Sequence, residues 1–262
     1  MPYMVGPGRG FSTFSDPRLI LWLDARQGLW QDSALTTAAT ANNDPVGGWV
    51  ERVSSRAFTQ ATAGKRFTLV SSAINSLPAC LGSNTNQALL STPTWSAIQF
   101  DRTTTYSVIA VMTPMSDGGG TGALINNLNA TSDGWDWRTG GSQMRMRLFM
   151  LGDGAQLMGC NSGDNVVTIG TPVIVGTRYT GVGTMATTFH YLNGAITANG
   201  AGTDTLTSET TVSTGDVVVL AIPGSSHWSD HRLAQLQVFS PMLTPGEMVQ
   251  SHIEWNRLYA VY

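Results

Sequence analysis

Apolar and polar residues alternate with a period of two along much of this chain. From Leu233 to Phe239, Ala234, Leu236 and Val238 fall on one face and Gln235 and Gln237 on the other, as a half-buried strand requires. A second alternation places Met144, Met146 and Leu148 opposite Arg145 and Arg147. Its methionine side suits an adaptable core, and its arginine side meets solvent or a partner. The runs 166–169, 172–176 and 217–222 are apolar, β-rich and bounded by Gly, Asn, Asp or Ser, and read as further strands. Helical periodicity appears only at the end. Thr244-Pro245-Gly246-Glu247 supplies a capping hydroxyl, a proline at the first helical position and a glutamate that reaches back to the cap amide. The helix expected to follow presents Val249 and Ile253, flanked by Met248 and Trp255, to the sheet.

The 262 residues suffice for one sizeable core, and the 29 glycines and 11 prolines are scattered as punctuation between short strands. The expected fold class is all-β: a two-sheet antiparallel jelly-roll sandwich with a short C-terminal helix. Neither an internal repeat nor a second hydrophobic unit is visible, so residues 18–262 form a single domain. Residues 1–17, with Gly6, Pro7, Gly8, Gly10 and Pro17, read as an extended N-terminal arm, either a tail or a segment that orders on a neighbouring subunit.

Five landmarks follow one another in a familiar order. Leu19-Ile-Leu-Trp-Leu-Asp-Ala25 is an opening strand, and Trp49-Val-Glu-Arg-Val-Ser-Ser-Arg-Ala-Phe-Thr-Gln60 is similar to a "W-D-x-S-G-x-x-x-A-x-Q" segment. Leu77-Pro-Ala-Cys-Leu-Gly-Ser83 stands where "L-P-A-V-R-F-D-G" is expected, before the strand Tyr106-Ser-Val-Ile-Ala-Val-Met-Thr113. Tyr179-Thr-Gly181 with Phe189-His-Tyr-Leu-Asn-Gly-Ala195 matches a "Y-x-G … L-Y-V-N-G" hairpin. Together with the last strand and helix, these resemble the concanavalin A-like lectin and glucanase superfamily in its laminin-G-like form, over residues 18 to 262. The resemblance implies a lectin-like sandwich, with glycan binding and glucan hydrolysis as activities to weigh.

Charge sets the chain apart. Charged residues are 12% of it, against about 25% in an average globular domain, and Lys65 is the only lysine. Such a surface is either an uncharged Thr, Ser, Gly and Asn coat or one packed against copies or partners. A net charge of −3 argues against nucleic acid, and no run of eighteen apolar residues suggests membrane insertion. The segment Met1–Gly10 lacks the apolar stretch of an export signal, which points to a chain left in the cytoplasm in which it is made. A lectin-like sandwich with these features fits a tailed-phage virion protein, located in the virion as a capsid decoration or a tail or fibre component. The expected function is accordingly non-catalytic and structural, with self-association or other virion subunits as partners and host glycans as ligands. A free-standing carbohydrate-binding module is the alternative, and a glycoside hydrolase the second.

Catalysis finds little support in the residue pattern. Retaining glucanases of this fold need Glu-x-Asp-x-x-Glu on one strand, and Glu51, Glu209, Glu247 and Glu254 stand in no such arrangement. Ser226-His227-Trp228-Ser229-Asp230-His231 gathers the residue types of a hydrolytic triad, but without a nucleophile elbow it reads as a polar loop. No cofactor is called for by the motifs. The resemblance brings calcium into consideration, with Asp24, Asp133, Asp153, Asp164 and Asp230 as oxygen donors, although isolated loop aspartates also cap turns. For sugar recognition the candidates are Trp135, Asp136, Trp137 and Arg138, which place two indoles on one side of an extended segment and a carboxylate on the other, together with Trp228. The competing reading puts an indole in the core. Cys80 and Cys160 are expected as free thiols rather than as a disulfide.

Overall fold

The computed structural model describes residues 12–82, 90–92, 95–116, 121–128, 133–140, 145–152, 156–181, 184–200, 202–206, 211–213, 215–221 and 229–262. Two antiparallel sheets face each other. In the nine-stranded sheet the order runs Ala195–Ile196, Thr188–Leu192, Val173–Tyr179, Tyr106–Thr113, Arg232–Phe239, Leu77–Leu81, Phe67–Ile74 and Pro45–Val46, with Leu19–Asp24 also paired to Arg232–Phe239. The ten-stranded sheet runs from Thr203–Asp204 through Leu157–Asn161, Arg145–Leu151, Gly134–Gly140, Thr121–Asn126, Val217–Val219, Leu90–Thr92, Ala57–Thr59 and Gly48–Val50 to Leu29–Trp30. The expected sandwich class is therefore observed.

Between the sheets lies one continuous core that includes Leu21, Trp49, Phe58, Val108, Trp135, Trp137, Leu148, Leu236 and Val238. Some of its polar groups are linked to one another across it. The Trp137 Nε1 donates to Thr177 Oγ1 at 2.7 Å, that hydroxyl meets His190 Nδ1 at 2.8 Å, and His190 Nε2 lies 3.3 Å from the Cys160 carbonyl. A hydroxyl already accepting from the indole donates onward, so Nδ1 is the acceptor and Nε2 carries the proton. Trp137 and Cys160 belong to the ten-stranded sheet, Thr177 and His190 to the other, so this chain of hydrogen bonds crosses the sandwich. Burial pushes the His190 imidazole down to about 4, which keeps it neutral. Cys80 and Cys160 are both buried and are not joined by a disulfide.

The outer face of the nine-stranded sheet is closed by the helix Pro245–Tyr259. The capping box forms as expected: Thr244 Oγ1 accepts from the Glu247 amide at 3.3 Å and Glu247 Oε2 from the Thr244 amide at 2.7 Å. Arg18, 2.8 Å away, is the main reason the Glu247 carboxyl falls to about 2. The packing face differs from the expected one. Met248, Ser251, His252, Trp255 and Tyr259 are buried, whereas Val249 and Ile253 are 36% and 37% exposed. The stripe at i, i+3, i+4, i+7 starts one residue earlier because the sheet offers polar partners. Trp255 Nε1 donates to Gln237 Oε1 at 3.1 Å, and Gln235 Nε2 donates to the Tyr259 hydroxyl at 2.8 Å and to Asp24 at 2.5 Å. Gln235 and Gln237 are thus covered rather than solvated.

Residues 12–18 pack on the same helix. The Thr13 amide and hydroxyl donate to Glu254 at 3.0 and 2.7 Å, and the Phe14 ring lies 5.2 Å from Trp22 and 5.0 Å from Trp255. Beside them Asp24 is buried under Arg26 at 2.7 Å and Arg52 at 2.9 Å. Burial alone would raise its carboxyl, but the hydrogen bonds and charge of Arg26 outweigh it and hold Asp24 below its ordinary value.

Two outcomes are expected from these arrangements. Thr244→Ala removes the cap hydroxyl and lowers unfolding free energy by about 1 kcal/mol in urea titrations. His190 and His252 fold with pKa values pushed by burial from 6.5 to about 4 and about 3, so the unfolded chain binds more protons below pH 6.5. Stability is therefore full above that pH and declines as pH falls through the folded values. Denaturant midpoints at pH 7.5, 6 and 5 check this, and a flat profile contradicts it.

Candidate functional site

Strand Gly134–Gly140 settles where the expected sugar-binding residues lie. Its period of two sends Trp135 and Trp137 between the sheets and Asp136 and Arg138 to the outer face of the ten-stranded sheet. Both indoles are fully buried; Trp135 donates to the Ile98 carbonyl at 2.7 Å and stacks near Phe100 at 5.2 Å. They offer no ring face to a ligand, so as sugar platforms they are corrected to core. The physical reason is area: an indole gains most from leaving water entirely once its N–H has a partner. Trp228 lies outside the described residues.

What the outer face does gather is a charged cluster around one phenyl ring. Arg138 stands directly across from Arg147, which in turn faces Asn161, while Asp136 faces Phe149 and then Gly159. The Arg138 guanidinium pairs with Asp136 and lies 4.3 Å from the Phe149 ring centroid. Arg147 lies 4.6 Å from the same ring and donates through Nε to Asn161 Oδ1 at 2.7 Å. On the same strand, Arg145 pairs with Asp164 at 2.5 Å. The ring itself rests on Gly159, where an added Cβ would stand 2.9 Å from it, so glycine is needed there for close approach rather than for its backbone. Sequence alternation already placed Arg145 and Arg147 on one face. Phe149 and Asn161 were missed because cross-strand register is invisible before the strands are paired.

Electrostatics in this cluster are strained in one direction. Like charges directly across a sheet repel. Burial first, then Arg138 and Arg145, hold the Arg147 guanidinium below its ordinary value, with Asp136 opposing them. It remains charged at neutral pH all the same. Burial raises the Asp136 carboxyl, against the pull of Arg138 and Arg147.

The other candidates disperse. Glu51 accepts from the amides of Val53, Ser54 and Arg56 at 2.7, 2.7 and 3.1 Å, Glu247 caps the helix, and Glu254 binds Thr13. Glu209, Ser226 and His227 lie outside the described residues. Asp230 lies 3.8 Å from His231 Nδ1, but His231 Nε2 faces the Thr139 hydroxyl at 3.0 Å, and the Ser229 hydroxyl has no hydrogen-bond partner. Ser229 thus has no hydrogen bond to His231. For calcium the fit is poor. Asp24 is committed to two arginines and Asp164 to Arg145; Asp153 lies outside the described residues. Among those described, no three His, Cys, Asp or Glu converge as a metal-binding group. A separate cleft of about 470 Å³ is lined by Phe14, Trp22, Arg26, Glu254, Arg257 and Leu258. Its Trp22 ring is already covered by the Arg52 guanidinium at 3.7 Å.

No family model matches the chain, and no curated protein matches it. Solved structures share its fold. The binding domain of Paraclostridial Mosquitocidal Protein 1 superimposes with a TM-score of 0.60 at 10% identity, covering 91% of this chain and 52% of that one. The botulinum neurotoxin serotype G binding domain gives 0.56 at 13% identity, covering 91% and 51%. A Trypanosoma rangeli sialidase in complex with 2,3-difluorosialic acid gives 0.54 at 10% identity, covering 97% and 36%. The chain thus spans about half the length of the two binding domains and about a third of the sialidase. At these identities the likeness establishes the two-sheet β-sandwich, in keeping with a lectin-like jelly roll.

Arg138→Met leaves Asp136 buried without its counter-ion and is expected to cost about 3 kcal/mol at pH 7. At pH 5 the loss relative to the native chain shrinks, because a carboxyl already raised by burial takes up a proton instead. Paired denaturation curves at the two pH values decide; an equal loss at both contradicts the assignment.

Proposed function

We propose that this chain is a non-catalytic glycan-binding module whose ligand face is the outer surface of strands Gly134–Gly140, Arg145–Leu151 and Leu157–Asn161. The observation that carries the reading is the asymmetry of the sandwich. The nine-stranded sheet is covered by the helix, while the ten-stranded sheet presents half-buried Arg145, Arg147 and Phe149 with Asn161 beside them. Planar polar groups around an aromatic ring are the equipment of sugar recognition. Similarity in fold to domains described as binding domains supports the same direction, by analogy only. The commitment of Glu51, Glu247 and Glu254 to structural partners supports binding without turnover.

The second reading makes the module a structural component of a tailed-phage virion, decorating the capsid or forming part of a tail or fibre. It is favoured by the low charge content and by Val249 and Ile253, which leave an apolar strip on the outside of the helix. The two readings share the fold and differ in assembly.

On a glycan array the native chain is expected to retain a defined set of oligosaccharides, and Phe149→Ala to lose them while keeping its circular dichroism. Light scattering after size exclusion separates the readings: a monomer that binds sugar supports the module, and a closed oligomer indifferent to every glycan supports the virion subunit.

A further inference from the structure

We infer that the ligand of this face is a carboxylated glycan, a uronate or a sialate, and that Arg147 is the residue that reads its carboxylate. The inference rests on the glycan-binding reading and adds the chemistry of the sugar.

Three arginines meet on this patch, and two are answered. Arg138 has Asp136 and Arg145 has Asp164, whereas Arg147 has no carboxylate within 4 Å among the described residues. Among the described residues, the positive charge of Arg147 is the one in the patch without a carboxylate within 4 Å, in a chain whose net charge is −3. Half-burial beside two other guanidiniums is unfavourable for Arg147, and Asp136, already paired with Arg138, offsets this only in part.

The guanidinium is also held in position. Asn161 Oδ1 accepts from Nε at 2.7 Å and the Phe149 ring supports the cation from 4.6 Å, so one edge and one face are occupied. The remaining Nη1 and Nη2 donors form the planar fork that matches the two oxygens of a carboxylate. Because Asn161 and Phe149 fix the fork beforehand, little rotamer entropy is left to lose on binding. A single carboxylate would supply the missing counter-charge, which argues for one acidic group per sugar contact rather than a multiply charged phosphate or sulfate cluster. Phe149, half-buried and already flanked by Arg138 and Arg147, acts on the ligand by holding the guanidinium in place.

Titration calorimetry of the full chain with trigalacturonic acid and with sialylated lactose, against maltotriose and lactose as neutral counterparts, tests this. At least one acidic probe is expected to bind, with its neutral counterpart weaker by about ten- to a hundredfold. Arg147→Gln should remove that preference, and Arg147→Lys, which keeps the charge but not the fork, should restore only part of it. Methyl esterification of the trigalacturonate, or amidation of the sialyl carboxylate, removes the charge from the ligand side and should cost the native chain the same factor, whatever Arg147→Gln does to folding. Equal binding of charged and esterified or amidated sugars, or neutral sugars binding as well as acidic ones, overturns the carboxylate assignment while leaving the glycan module intact. Preference for dextran sulfate, which carries no carboxylate, or for polyglutamate over every carboxylated sugar also overturns it. No binding to any sugar overturns the module reading along with it.

Discussion

The direction in which one strand faces governs both the core and the patch. Trp135 and Trp137 are anchored inside the sandwich by hydrogen bonds to the Ile98 carbonyl and the Thr177 hydroxyl, and two indoles cannot be turned outward without leaving those donors unpaired and a large void behind. A period of two then leaves Asp136 and Arg138 no choice but the outer surface. Arg147 and Phe149 inherit their places from the same register, as the partners of Arg138 and Asp136 across the strand pair. The patch is therefore held on a rigid element whose geometry the core enforces, which is what a preorganised binding face needs.

Asymmetry between the sheets follows from the helix. Its capping box, its ion pair with Arg18 and the indole of Trp255 over Gln237 commit one outer face to structure. Asp24 extends that closure, drawing Arg26, Arg52 and Gln235 into one network around its buried carboxylate. With that side sealed, the arginines of strand Arg145–Leu151 become the conspicuous feature of the opposite face. Low overall charge sharpens the contrast: in a chain with 14 basic residues, three on neighbouring positions of two strands is a concentration.

The fold is one that serves unrelated tasks, and the weak identities to the binding domains and the sialidase carry no residue-level information. Structural roles for Glu51, Glu247 and Glu254 support the proposed contact function, and the arginines of the described patch support the proposed anionic ligand.

Local pattern was enough for the elements. Alternation from Leu233 to Phe239, the capping box at Thr244 and the strand of alternating methionine and arginine all reflect chain-neighbour geometry, which is a property of sequence alone. Faces were only half legible. Alternation separated Trp135 and Trp137 from Asp136 and Arg138, but whether indoles or charges faced inward depended on what the second sheet offered. Val249 and Ile253 were assigned to the buried stripe of the helix because they are apolar, whereas Gln235 and Gln237 favoured Trp255 and Tyr259 with polar tips. The apposition of Arg138, Arg147 and Asn161 belonged wholly to the tertiary structure. Strand register is set by cooperative packing between residues far apart in the chain, and no local rule encodes it.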